Sequence, residues 1–274
     1  MIKKQDKRPF GGVMVTCIWG ILCLINLATI VSAGVNIIEP WKPQVDLNIT
    51  KMNSYYLSAD LCLGTRRTNN NSDNFFEIPV IFTYGAGKNM ETGGSLGIIS
   101  AGSKTGISDL IIGIKYQFLK EGRTQNEQPG VAGELGFSIP TASYSDGLGT
   151  GSADILINWL IKKKLDMVDG YFKLGFRING TNSDKINFGN VLSYTIGVSY
   201  IKSKELTLSG ELKGFNHFPS KSNGVNVPGS DYQELYLAPG FKYRMNNRYD
   251  FYCSLLLGLT NKSSQPGLFV GVTY

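Results

Sequence analysis

Apolar and polar residues take turns along Gly151–Gly180, GSADILINWLIKKKLDMVDGYFKLGFRING. Ala153, Ile155, Ile157, Trp159 and Ile161 fall on one side of the first half, with Asp154, Asn158 and Lys162 on the other. In the second half Phe172, Leu174, Phe176 and Ile178 oppose Lys173, Gly175, Arg177 and Asn179. A period of two sends successive side chains to opposite faces of an extended strand. Each run is about ten residues long, enough for a tilted strand to cross a bilayer. The apolar side carries no charge and the other side carries it freely, which suits a wall with lipid outside and a polar interior.

The alternation recurs along the chain. Leu110, Ile112, Ile114, Tyr116 and Phe118 oppose Asp109, Lys115 and Gln117. Leu206, Leu208 and Leu212 oppose Thr207, Ser209, Glu211 and Lys213, and Leu235, Leu237, Phe241 and Tyr243 oppose Glu234, Tyr236, Lys242 and Arg244. Twelve strands are predicted, over residues 51–64, 75–86, 90–100, 108–119, 130–140, 152–163, 170–180, 190–202, 205–216, 232–245, 248–260 and 267–274. Long polar loops are predicted at 65–74, 101–107, 141–151, 181–189 and 217–231, after odd strands. Short turns follow even strands at 87–89, 164–169, 203–204 and 246–247, and only 120–129 breaks that rule. Outer-membrane barrels keep their long loops outside and their short turns in the periplasm. The expected fold is therefore all-β: a closed antiparallel transmembrane β-barrel of about twelve strands, since lipid leaves no partner for an open sheet edge. Tyr84, Tyr116, Tyr200, Tyr243 and Tyr249 sit at strand ends, where aromatic girdles belong.

Residues 1–33 begin with Lys3, Lys4, Lys7 and Arg8, continue as an apolar run Val13–Val31, and end at Val31-Ser32-Ala33. This is the form of a secretory signal peptide cleaved near Ala33. An uncleaved anchoring helix is the alternative; a lipoprotein is disfavoured because Leu22 before Cys23 is bulky. Residues 34–50, with Pro40 and Pro43, form a periplasmic N-terminal lead or a plug, and 51–274 form the barrel. The leader holds a net +3 of the chain's +6. The remaining cations form no stripe, so no nucleic acid is expected as a partner. Cys17 and Cys23 leave with the leader, while Cys62 and Cys253 fall on opposite faces and are expected as free, inert thiols.

In the final strand Leu268, Val270, Val272 and Tyr274 share a face, and the chain ends on that aromatic. The pattern resembles the signal read by the bacterial barrel-assembly machinery, with Val270, Val272 and Tyr274 as its residues. The segments Ser138–Asp154, SIPTASYSDGLGTGSAD, and Gly106–Tyr116, GISDLIIGIKY, resemble the outer-membrane family named for the meta-pathway of phenol degradation. The Pro-Thr…Gly-x-Gly-x-Gly-Ser-x-Asp loop is the most specific part, and the likeness runs through most of the mature chain. The resemblance implies a barrel that takes up or exports small, often hydrophobic compounds. It supplies no binding residue.

Local motifs for chemistry fall away on inspection. Gly147-Leu148-Gly149-Thr150-Gly151 lacks the third glycine spacing of a nucleotide loop and leads into a strand. Gly85-Ala86-Gly87-Lys88 is followed by Asn89 and is no phosphate loop. His217, the one histidine, is expected as an exposed loop residue; with no serine placed beside it by a motif, no catalytic residues are assigned. One histidine and two separated cysteines suggest no metal site, and no cofactor is expected.

The functional candidates are the inward charges: Asp60, Glu77, Glu91, Asp109, Lys115, Glu134, Asp154, Lys173, Arg177, Glu211, Lys213, Glu234, Lys242, Arg244 and Asp250. They either line a wet channel or pair to brace a filled barrel. The expectation is a bacterial outer-membrane channel or transporter for small, hydrophobic or aromatic molecules, not an enzyme. Its partners would be outer-membrane lipid, the barrel-assembly machinery and a small-molecule permeant. The alternatives are a plugged structural or surface-interaction barrel, a lipid-modifying barrel enzyme relying on His217, and a soluble sandwich.

Overall fold

The computed structural model describes residues 47–68, 71–122, 127–245, 249–263 and 267–274, without the side chains of 66–73. The predicted signal peptide and residues 34–46 of the lead lie outside the described residues. Among those described, every regular element is a strand.

The elements are β1 (Tyr55–Thr68), β2 (Asn71–Gly85), β3 (Met90–Ala101), β4 (Lys104–Ile107), β5 (Leu110–Leu119), β6 (Gly130–Ile139), β7 (Asp154–Leu165), β8 (Val168–Ile178), β9 (Ile186–Asn187), β10 (Val191–Ile201), β11 (Leu206–His217), β12 (Lys221–Ser222), β13 (Val225–Asn226), β14 (Tyr232–Met245), β15 (Tyr249–Gly258) and β16 (Gly267–Thr273). All but β9, β12 and β13 join one sheet. Its strands pair antiparallel with their neighbours, and β1–β16 together with β2–β3 close it on itself. Both β4 and β5 pair with β3 and run in line, so the barrel has twelve staves. At the break between them Ser108 repairs the ladder: its Oγ accepts from Gly97 N at 2.9 Å and its own N–H donates to Gly97 O at 2.9 Å.

Burial follows the predicted parity. Along β7, Ile155, Ile157, Trp159 and Ile161 are exposed, while Asp154, Asn158 and Leu160 are buried. Exposed apolar side chains continue around the whole outer wall, among them Ile112, Ile114, Ile196, Val198, Leu208 and Leu237. An apolar surface of this extent needs a lipid partner. Tyr55, Tyr84, Tyr116, Tyr200 and Tyr243 are exposed at the short-turn end, where they form one girdle. Tyr274 closes against Tyr249 there, with ring centroids 4.8 Å apart.

Two predicted loops are strands instead. Residues 65–68 and 71–74 extend the β1–β2 hairpin, which stays paired out to Thr68↔Asn71. Residues 101–107 form a tight turn at Gly102 (φ 60°) and the strand β4, paired Ala101↔Lys104. The long connections 140–153, 179–190 and 218–231 stand at that same end, and the last two contribute β9, β12 and β13 to a small separate sheet. Cys62 is buried and Cys253 lies on the other face, both unoxidised.

Candidate functional site

The alternation that greases the outer wall turns every intervening side chain inward, and the charged ones meet partners there. Lys115 lies 3.2 Å from Glu91, and both side chains are fully buried. Lys213 lies 2.8 Å from Glu211, which also accepts from Tyr171 Oη at 2.7 Å. Glu134 accepts from Asn158 Nδ2 at 2.9 Å. At the short-turn end Asp250 accepts from Arg244 Nε at 3.0 Å and lies 4.0 Å from Lys242. Arg244 itself is half exposed. Asp60 is buried opposite Gly271, where a Cβ would come within 2.3 Å of its Oδ1. Glu77 is half-buried opposite Cys62, and Lys173 is half-buried opposite Thr195. Burying a charge is costly unless it is paired, so the pairs brace the wall as well as set its electrostatics.

The segment ahead of β1 runs inside the barrel at the short-turn end. Leu47, 2% exposed, packs with Ala132, Leu160 and Tyr171. Gln117 Nε2 donates to Leu47 O at 2.9 Å and Lys115 Nζ to Asn48 O at 3.0 Å. Glu91 Oε2 accepts from Thr50 N at 2.7 Å and from Thr50 Oγ1 at 2.8 Å. The chain then turns at Asn53 (φ 63°) and passes over Gly85, where a Cβ would come within 2.2 Å of Lys51 O. No larger residue fits at that crossing.

At the opposite end the Pro-Thr…Gly-Ser-x-Asp loop folds onto the mouth through inward carboxylates. Asp109 Oδ1 accepts from Ala142 N at 3.0 Å. Thr141 Oγ1 donates to Ser108 O at 2.8 Å and accepts from Leu110 N at 2.9 Å, tying the loop to the β4–β5 break. Asp154, 1% exposed, accepts from Ser152 Oγ at 2.9 Å and Gly180 N at 3.0 Å, and it pairs with Arg177. Asn182 Nδ2 reaches back to Thr150 O at 3.2 Å. Gly147 and Gly151, at φ 71° and 69°, make the turns in a left-handed conformation open to glycine. The glycines let the loop fold against the rim at the β4–β5 break and the start of β7.

His217 is not an exposed loop residue. It ends β11 facing inward, stacks on Tyr232 at 4.1 Å, and its Nε2 lies 3.1 Å from Glu234 Oε2. Tyr236 Oη donates to the other oxygen of Glu234 at 3.2 Å, and Phe215 meets Tyr236 edge-on at 6.1 Å. The mouth thus carries an aromatic and acidic wall. The sequence signal was present in the parity of Phe215 and His217 with Glu211 and Lys213, but the partners come only from register across β14.

Residues 60–274 match the sequence profile of the family described as "Putative MetA-pathway of phenol degradation". Among solved structures the chain is similar to an outer membrane channel from Pseudomonas putida F1, with TM-score 0.68 and 11% identity over 84% of this chain and 99% of that one. It is also similar to the NanC porin, with TM-score 0.52 and 10% identity over 81% and 99% of the two chains. No curated protein matches it in sequence.

Proposed function

This chain belongs to the MetA-pathway of phenol degradation family, and on that premise we propose that it is a passive channel of the bacterial outer membrane. Small molecules, hydrophobic and aromatic ones among them, would move through it down their gradient, without cofactor and without catalysis. The observation that carries this reading is the contrast between the two ends of the interior. One end is narrowed by a short peptide, Leu47–Thr50, held by side-chain contacts to Glu91, Lys115 and Gln117. The other is a mouth walled by Phe215, Tyr232, Tyr236, His217 and Glu234. A lead held through a handful of polar contacts is a constriction that can give way, unlike a core that fills the cylinder.

In this reading residues 1–33 deliver the chain and are removed, residues 34–50 are the periplasmic lead or plug, with Leu47–Thr50 as the constriction, and the fifteen inward charges line the path. Val270, Val272 and Tyr274 present the assembly signal. The similar channel and the NanC porin support transport as the general activity. A braced barrel without transport is favoured by one observation, the packing of Leu47 into the apolar cluster with Ala132, Leu160 and Tyr171. Swelling of liposomes that hold the refolded mature chain separates the two. Phenol-sized solutes should enter at a rate proportional to the protein added; no entry of any solute would leave the braced barrel.

A further inference from the structure

The outer wall carries a built recess that transport does not use. Ile178, Asn190 and Phe218 stand side by side at the loop end of β8, β10 and β11, on the lipid-facing parity. Phe218 N donates to Asn190 O at 2.9 Å, and Phe218 meets outward Phe176 edge-on at 6.3 Å. Above this floor, where Asn190 stands between two apolar side chains, the small sheet of β9, β12 and β13 walls a half-open recess of about 450 Å³. Its pairings put Asn187, Lys221 and Asn226 in a single cross-strand row, and all three line the cavity. Paired residues share a face of a sheet, so a cation stands between two amides over a floor that Ile178 and Phe218 share with Asn190.

The wall of the recess is fixed. Asn187 Oδ1 accepts from Gly189 N at 2.8 Å, and its Nδ2 donates to Gly180 O at 2.8 Å. Asn190 Oδ1 accepts from Asn179 N at 3.2 Å, and Asn179 Nδ2 donates to Gly189 O. Gly189, at φ 76°, lets the backbone lie against Phe218, where a Cβ would come within 2.0 Å of its carbonyl oxygen. Lys221 and Asn226 are exposed and are the groups that reach a ligand.

We infer that this recess binds the phosphorylated sugar headgroup of an outer-leaflet glycolipid of the lipid A type. The geometry fits each part of such a molecule. The recess opens where the apolar wall meets the outer loops, which is headgroup depth in the outer leaflet. Lys221 matches a sugar phosphate, Asn226 matches ring hydroxyls, and Ile178, Phe176 and Phe218 receive an acyl chain. A pocket of this size, in which four amides and one cation converge beside Ile178, Phe218 and Pro219, has the mixed lining of an amphiphile site. The inference is independent of whether the barrel conducts.

The test titrates the refolded, detergent-solubilised mature chain with bis-phosphorylated lipid A and reads bound lipid by native mass spectrometry. Lys221→Glu should weaken retention at least tenfold, and Lys221→Met should weaken it in the same direction. Dephosphorylated lipid A should also bind at least tenfold more weakly. Lys262→Glu, which changes an exposed lysine in the loop before β16, should leave retention unchanged. Equal retention by Lys221→Glu, indifference to the phosphates, an equal loss in Lys262→Glu, or displacement of lipid A by millimolar inorganic phosphate would each overturn the assignment. The last result would mark a free-anion site.

Discussion

Lys115 places its ammonium 3.2 Å from the Glu91 carboxylate and 3.0 Å from the carbonyl oxygen of Asn48. One buried cation therefore ties β5 to β3 and ties the N-terminal lead to both. Glu91 completes the link by accepting twice from Thr50. Removing one partner strands the other charge in a site with no exposure, a loss of about 3–5 kcal/mol for Glu91→Ala or Lys115→Ala. The double substitution should cost less than the two singles together, since neither charge is then left alone. Urea unfolding from lipid vesicles measures all three.

Asp154 is the anchor of the mouth. It holds Ser152 and Gly180 and pairs with Arg177, so both flanking loops depend on one buried carboxylate. Asp154→Ala should lower stability by about 3–5 kcal/mol and free loop 140–153. Limited proteolysis of the folded protein should then cut within that loop in the variant and leave the parent intact.

Ile196 and Thr195 are neighbours in the middle of β10 that face opposite solvents. Ile196 is 52% exposed on the outer wall, and Ile196→Arg should cost about 2–4 kcal/mol at the bilayer midplane. Thr195 lies between Lys173 and Lys213 in the cross-strand register. Thr195→Glu should cost well under about 1 kcal/mol, since two cations flank it. Equal costs at the two positions would contradict the assignment of faces.

Asp146, in the outer loop 140–153, is held below the usual carboxylate range by the Ser143 hydroxyl and then by Lys104. The Ser143 Oγ donor is at 2.8 Å and Lys104 Nζ at 3.1 Å. A depressed folded-state pKa means the contact stabilises the loop fully above the unfolded value of about 3.9 and loses that contribution as pH falls through the folded value. Protection factors of the loop amides, which divide out the slower intrinsic exchange at low pH, should therefore fall as pH drops below about 3.9, more steeply than in Asp146→Asn. The β3–β4 turn that carries Lys104 should loosen with it.

The barrel was legible because lipid imposes one demand on every stave. Ile157 and Ile196 must be apolar and their neighbours need not be, so the period of two survives along the wall. That demand stops where the strands leave the membrane. Residues 65–68, 71–74 and 104–107 read as polar loops and yet continue the ladder. The Leu47–Thr50 lead has no strand period of its own, and its partners Glu91, Lys115 and Gln117 come from staves 41 to 70 residues away. His217 looked like a loop residue because the partners that turn it inward, Tyr232 and Glu234, are set by β11–β14 register rather than by any local motif.

The most direct measurement is single-channel recording of the refolded mature chain in planar bilayers, beside Glu91→Gln and Lys115→Met, which loosen the hold on Asn48 and Thr50. The account predicts discrete, small openings for the parent and larger or more frequent ones for both variants. Silent bilayers for all three folded proteins would contradict it.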